Sequence, residues 1–166
     1  MNAINTAADQ IQQTAHCSCG TVELKLSGKP LIRGYCHCTT CQAYTGSDYS
    51  DVTVFRATDV QITDESSVEF QGYQTPSLAQ RGKCVNCHNP THEKIVMPVL
   101  PNLIIVSTEI LPESMRLEPS MHIFYHRRVQ DISDQVPRHH GFIKSQAVFM
   151  GALFKSLWQS RQSSRA

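Results

Sequence analysis

Residues 16–26 read His16-Cys17-Ser18-Cys19-Gly20-Thr21-Val22-Glu23-Leu24-Lys25-Leu26. Val22, Leu24 and Leu26 share one parity, and Glu23 and Lys25 take the other, which is the pattern of a half-buried strand. The strand runs out of a cysteine pair. A side-chain period of two puts Cys17 and Cys19 on one face, where two sulfurs can grip one ion. β structure and metal-binding thiols therefore stand in the same segment.

The same signals recur outward from it. Ser27-Gly28-Lys29-Pro30 is a turn, and Leu31 to Tyr35 reads as a second strand. Asp51 to Phe55 is a third, with Val52 and Val54 on one face. Short strands are expected at Val60–Thr63, Val68–Phe70, Lys94–Val99, Leu103–Ser107 and His122–Tyr125. Many short strands separated by turn signals predict an all-β domain. No sustained helical period is present before residue 142. Beyond it Met150, Leu153, Phe154 and Leu157 recur at helical spacing, with Phe149 and Trp158 beside them. This predicts one C-terminal amphipathic helix, packed on the domain's own sheet, on a second copy as a homodimer contact, or on a membrane surface. The expected organisation is a polar leader over 1–13, a zinc-binding β domain over 14–142, and a helix and tail over 143–166.

The chain has 166 residues, 40% of them hydrophobic, enough for one domain with a core. A formal net charge of +1 gives no electrostatic reason to expect nucleic acid as a partner. The leader lacks the basic and apolar regions of a signal peptide, and no stretch has the length of a membrane span. A cytoplasmic protein is the expectation. Closely spaced cysteines in such a chain are metal ligands rather than a disulfide framework, and an odd count agrees, since disulfides would strand one thiol.

The seven cysteines fall into Cys17-x-Cys19, Cys36-x-Cys38-x-x-Cys41 and Cys84-x-x-Cys87. A closed tetrahedral zinc site uses four thiolates, which leaves three. The Cys17/Cys19 pair and the Cys84/Cys87 knuckle can close one site across two strands, clamping the first strand to the middle of the fold. The compact Cys36/Cys38/Cys41 trio can bind an ion from one side only. Three protein ligands and an open position is the layout of a catalytic zinc, where a substrate thiol would become a thiolate. Two structural sites with a histidine as eighth ligand remain open. Of His16, His37, His88, His92, His122, His126, His139 and His140, His37 should face away from its neighbouring cysteines, and His88 is poorly placed, whereas His122 or His126 could reach by folding. A redox CxxC would prefer a thioredoxin-like α/β setting, which the surrounding β pattern does not offer.

With these residues in view, the sequence resembles the glutathione-dependent formaldehyde-activating family, which includes centromere protein V. The resemblance runs from about His16 to Gly141. It rests on Cys17-x-Cys19-Gly20-x-Val22, Cys36-His37-Cys38-x-x-Cys41, Thr45-Gly46-Ser47, Phe55, Arg81 before Cys84-x-x-Cys87, His122-Ile123-Phe124 and Asp131-Ile132-x-Asp134-x-x-Pro137. It implies a β-tent fold, a structural zinc on Cys17, Cys19, Cys84 and Cys87, and a catalytic zinc on Cys36, Cys38 and Cys41 that glutathione can strip, leaving that site partly empty. It implies the joining of glutathione and formaldehyde to S-hydroxymethylglutathione, a carbon–sulfur lyase reaction in reverse. Where the family has Gly and a small hydroxyl residue after its last knuckle, this chain has His88-Asn89-Pro90-Thr91, so the adjoining loop should be reshaped. Gly is favoured there because the backbone often needs φ > 0, a conformation His and Asn can also adopt. Arg33, Arg56, Arg81, Arg127 and Arg128 are candidate contacts for the thiol's carboxylates. Tyr35, Tyr44 and Asp48 lie near the trio in sequence. The alternative function is a zinc-stabilised binding module without turnover.

Overall fold

In the computed structural model, which describes residues 12–73, 79–96, 98 and 101–163, the opening segment is a hairpin rather than a single strand. β1 (Gln13–His16) and β2 (Glu23–Leu26) pair antiparallel, and Cys17 to Val22 turn between them. Gly20, at φ 77, makes that turn possible, and its N–H donates to Cys17 O at 2.9 Å. The alternation of Val22, Leu24 and Leu26 holds, since all three are buried. The expected leader lies outside the described residues except for Gln12 and Gln13, and Gln13 already belongs to β1.

The chain continues through β3 (Ile32–Cys36), α1 (Thr39–Thr45), β4 (Ser50–Arg56), β5 (Val60–Ile62), β6 (Val68–Gln71), β7 (Ala79–Cys84), β8 (Pro90–Ile95), β9 (Leu103–Ser107), β10 (His122–Ile123) and α2 (Phe142–Ser163). A small antiparallel sheet has the order β1-β2-β5. A large one has the order β10-β3-β4-β9-β8-β7-β6, antiparallel except where β10 runs parallel to β3.

The fold is thus mostly β with one C-terminal helix, in three layers. The small sheet covers one face of the large sheet, where Ala15, Val22, Leu24 and Leu26 meet Phe55, Val68, Ile104 and Val106. The helix α2 covers the other, where Leu153 and Leu157 meet Ile32, Val52, Val54, Leu103 and Ile105. The central strands are therefore buried on both faces, and this is why Leu103-Ile104-Ile105-Val106 is a continuous apolar run without alternation.

Two elements escape the sequence pattern. The seven-residue α1 is too short to show a helical period; it starts because Cys38 Sγ accepts the Cys41 N–H at 3.3 Å and stops at Gly46, φ 70. β7 is largely polar (Ala-Gln-Arg-Gly-Lys-Cys) and contains a glycine, which weakens any strand reading. Gly82 is needed there, because a Cβ would fall 2.6 Å from Val68 Cγ1. β8 begins at Pro90, earlier than the expected Lys94, while Met97 and Val99 of that expectation lie outside the described residues. The expected strand His122–Tyr125 ends at Ile123 and tightens into a 3-10 turn over Tyr125–Arg127.

Helix α2 places Leu153 and Leu157 inward, with Phe149 and Met150 partly covered. Phe154, expected on the packed face, is instead 54% exposed, and Trp158 is 67% exposed. Ser156 Oγ donates to Leu31 O at 2.8 Å, and Arg56 bonds Ser160, so polar contacts hold the C-terminal half of α2 to the sheet. No helix among the described residues is long and apolar enough to cross a membrane.

Candidate metal centres and active-site pocket

The first two cysteines sit in the β1–β2 loop, so their convergence comes from a turn and not from strand periodicity. Of the second pair, Cys84 ends β7 and Cys87 lies in the turn that joins it to β8. Folding the small sheet onto the large one brings the two turns together. Cys17 and Cys19 Sγ lie 3.4 Å apart, and Cys84 Sγ is 3.7 and 3.6 Å from them. All four sulfurs, Cys87 included, lie within 4.8 Å of one another. A tetrahedral thiolate site with metal–sulfur bonds of about 2.3 Å has sulfur–sulfur edges of about 3.8 Å, so the donor set fits a metal ion. Backbone amides aim at the sulfurs, Val22 N–H at Cys17 (3.2 Å) and Asn86 N–H at Cys84 (3.4 Å), which suits thiolates rather than thiols. Hydrogen bonds from the Thr21 hydroxyl and backbone hold Cys19 down to about 5, and burial pushes Cys84 up to about 11. His88 occupies the left-handed region at φ 58, the conformation expected after the knuckle, and its N–H closes the knuckle onto Cys84 O at 2.9 Å.

The second cluster lies on the opposite face of the large sheet. Cys36 ends β3, Cys38 caps α1 and Cys41 occupies that helix's first turn. Their sulfurs lie within 4.8 Å of one another, and Met121, Ile123 and α2 residues pack around them. Hydrogen bonds from the Cys36 and Cys41 thiols drive Cys38 far down, while contact with Cys38 pushes Cys36 up and contact with Cys36 and Cys38 pushes Cys41 up. No fourth cysteine or histidine joins them among the described residues.

The trio forms one wall of a cavity of about 430 Å³. The register of the large sheet explains the rest of it. Val54 pairs with Ile105, Ile105 with Glu93, and Glu93 with Arg81, so this row of side chains crosses four strands on one face. Cys36 lies on that face too, two steps along β3 from Gly34, which pairs with Val52. Arg81 Nε lies 2.9 Å from Glu93 Oε2 as an ion pair without the alignment of a hydrogen bond, both side chains being largely buried. Burial pushes the Glu93 carboxyl up to about 7 against the pull of Arg81, and charge on Cys38 adds to the rise. The lid consists of Phe142, Gln146 and Phe149 from α2, and the rim includes His126 and Arg127.

Of the arginine candidates, the structure brings Arg81 and Arg127 to the cavity. Arg33 is held by Asp51 (2.7 Å), Arg56 by the end of α2, and Arg128 by Asp131. Tyr35, Tyr44 and Asp48 do not line it. Tyr44 is on the buried side of α1, donating to Gly82 O at 2.7 Å, Tyr35 packs on His122, and Asp48 accepts from Gln130. His37 faces away from the trio as its strand position required. His37 Nε2 bonds His122 Nδ1, and His122 Nε2 bonds Asp134, so His122 is a brace and not a ligand. His126 reaches the rim, with Nδ1 accepting the Gly141 N–H. Glu93 was missed because its signal is relational: it becomes legible as a site residue only once β7 and β8 are paired.

These features define a β-sheet protein with two thiol clusters that could each hold a metal ion, one closed and one opening on a cavity. Residues 12–127 match the family described as glutathione-dependent formaldehyde-activating enzyme, and the chain belongs to that family. Comparison with curated proteins finds no match. Among solved structures, the crystal structure of a Rhodobacter sphaeroides protein is similar at a TM-score of 0.52 and 20% identity, covering 76% of this chain and 100% of that one. At that identity the likeness concerns the fold alone.

Proposed function

We propose that the protein is a zinc-dependent carbon–sulfur lyase/synthase-type enzyme of the cytoplasm that adds a small thiol such as glutathione to an aldehyde such as formaldehyde, or runs the reverse. The observation that carries this reading is the shared cavity: three clustered thiols, a buried carboxyl and an arginine face one space. Cys17, Cys19, Cys84 and Cys87 would hold a structural zinc, and Cys36, Cys38 and Cys41 a catalytic one. Zinc held by three thiolates keeps a place for a fourth ligand and lowers the pKa of a thiol bound there.

The chain's own residues supply the rest. Arg127 and His126 at the rim meet the carboxylates of a glutathione-like thiol. The apolar walls exclude water and strengthen every charge interaction inside. Glu93, near neutrality, gives a proton to the aldehyde oxygen as the sulfur–carbon bond forms and the C=O π bond opens, and recovers it in the reverse step. Arg81 holds that carboxyl in position. The proton gained by the oxygen balances the one lost by the thiol.

Exchange NMR on a glutathione and formaldehyde mixture tests the reading. Zinc-loaded protein should speed interconversion of free thiol and S-hydroxymethyl adduct, and Cys38→Ser should abolish the effect while leaving the protein folded. Unaltered exchange with a folded, metal-loaded protein would remove it. A second reading, a zinc-stabilised binding module, is favoured by one observation. Ile143, Phe154 and Trp158 present an exposed apolar stripe along α2 suited to a homodimer contact.

A further inference from the structure

The cavity beside the thiol trio is larger and more apolar than formaldehyde requires. Formaldehyde has two non-hydrogen atoms and fills a space on the order of the ~30 Å³ share of one water molecule. The cavity measures about 430 Å³, within the range of sites for whole small-molecule ligands. Its apolar walls are Val52, Ile95 and Ile105 from the large sheet, faced by Phe124 and Phe149, with Phe142, 67% exposed, at the mouth.

A glutathione-like thiol does not account for those walls. Its two carboxylates and ammonium would be stripped of water against hydrocarbon, at a cost only paired charges offset. Arg81, the deep cation, is already engaged by Glu93. The charged ends of the thiol therefore belong at the rim, by His126 and Arg127, and the apolar depth is left to the other reactant.

The aromatic wall is a built feature. Phe124 sits at φ 54, a left-handed conformation uncommon for a bulky side chain. Ser145 Oγ accepts its backbone N–H at 2.8 Å and fixes it there, and its ring lies 5.9 Å from that of Phe142. The strained backbone sets the direction in which the Phe124 side chain leaves the chain, and that side chain lines the cavity.

We propose that the carbonyl reactant of this site is an aldehyde bearing an apolar alkyl or aryl substituent, seated against Val52, Ile95, Ile105 and the Phe124–Phe142–Phe149 lid. This rests on the thiol-addition reading above and names its substrate class. The thiol sulfur bonds to the carbonyl carbon, the C=O π bond opens, and the oxygen takes up one proton for the one the thiol released. The product is a hemithioacetal, R–S–CH(OH)–R′, and no oxidant or reductant is consumed.

The test compares formaldehyde, butanal, hexanal and benzaldehyde with glutathione, each as catalysed over uncatalysed exchange rate, so that intrinsic carbonyl reactivity cancels. The enhancement should rise from formaldehyde to hexanal, by up to about fourfold per buried methylene, and Ile95→Phe should lower the hexanal-to-formaldehyde ratio. A readout independent of turnover is titration with hexanamide, an unreactive analogue, which should shift the Ile95 and Ile105 methyl NMR signals where acetamide does not. Acceleration of formaldehyde with no gain for hexanal would overturn the substrate class and leave thiol addition standing. Acceleration of no aldehyde would overturn both.

Discussion

His37 Nε2 and His122 Nδ1 lie 2.9 Å apart in the interior, and the far nitrogen of His122 lies 2.9 Å from Asp134 Oδ2. The pair joins the end of β3 to the short parallel strand β10, with the His37 ring turned away from the Cys36/Cys38/Cys41 trio. His37 stands between Cys36 and Cys38, so whatever fixes its ring also fixes the backbone that carries two sulfurs. Three separated sequence features, the histidine inside the cysteine cluster, His122 and Asp134, are one physical object.

His122→Phe leaves the buried His37 Nε2 without its partner. A stability loss of about 1–3 kcal/mol is expected, read by chemical denaturation. The metal-binding capacity of the trio should fall more than that of the four-cysteine site. Equal loss at both sites would show that the pair braces the whole fold rather than the trio.

The two clusters should separate cleanly by mutation. Cys84→Ser removes a donor that ties the small sheet to the large one, and the stability loss should exceed about 3 kcal/mol. Cys38→Ser should leave the melting temperature within a few degrees and remove one equivalent of bound metal. Mass spectrometry under non-denaturing conditions and thermal unfolding distinguish the two variants.

The Glu93 carboxyl, raised to about 7, sets a pH limb on the addition reaction. The protonated form gives its proton to the aldehyde oxygen, so the addition rate should fall as pH rises through about 7. Glu93→Gln should lower the rate and erase that limb, while thiol binding persists. For stability the sign is the same: the contribution is complete below the ordinary carboxyl value and is lost as pH rises from there through about 7.

His92 behaves oppositely. Burial holds its pKa down to about 4, with Lys94 adding to the effect. The unfolded chain takes up its proton near the ordinary imidazole value and the folded chain only near 4. Stability from this group is complete above the higher value and is lost as pH falls through the lower. Denaturation midpoints of wild type should decline across that window more steeply than those of His92→Gln.

Helix α2 cannot be deleted as a neutral test of self-association, since Leu153 and Leu157 cover the sheet. Phe154→Ser with Trp158→Ser changes only the exposed stripe. If that stripe is a homodimer contact, sedimentation should shift from dimer to monomer with melting changed by a few degrees at most. An unchanged monomer in both proteins would remove the contact.

The strands with clean alternation or β-branched runs, the C-terminal helix, and the grouping of seven cysteines into four and three were legible in the residues alone. Each follows from information local to a few residues: a period, a turn, a ligand spacing. Such signals did not determine β7, whose polar face and glycine are explained only by the neighbours Val68 and Glu93, nor α1, whose seven residues depend on a cysteine cap. That the two thiol clusters lie on opposite faces of one sheet, and that Glu93 and Arg81 share the cavity with the trio, emerged from the folded chain. Those relations are set by strand register and by which layer covers which face, through contacts between residues far apart in the chain, and no short window of sequence contains them.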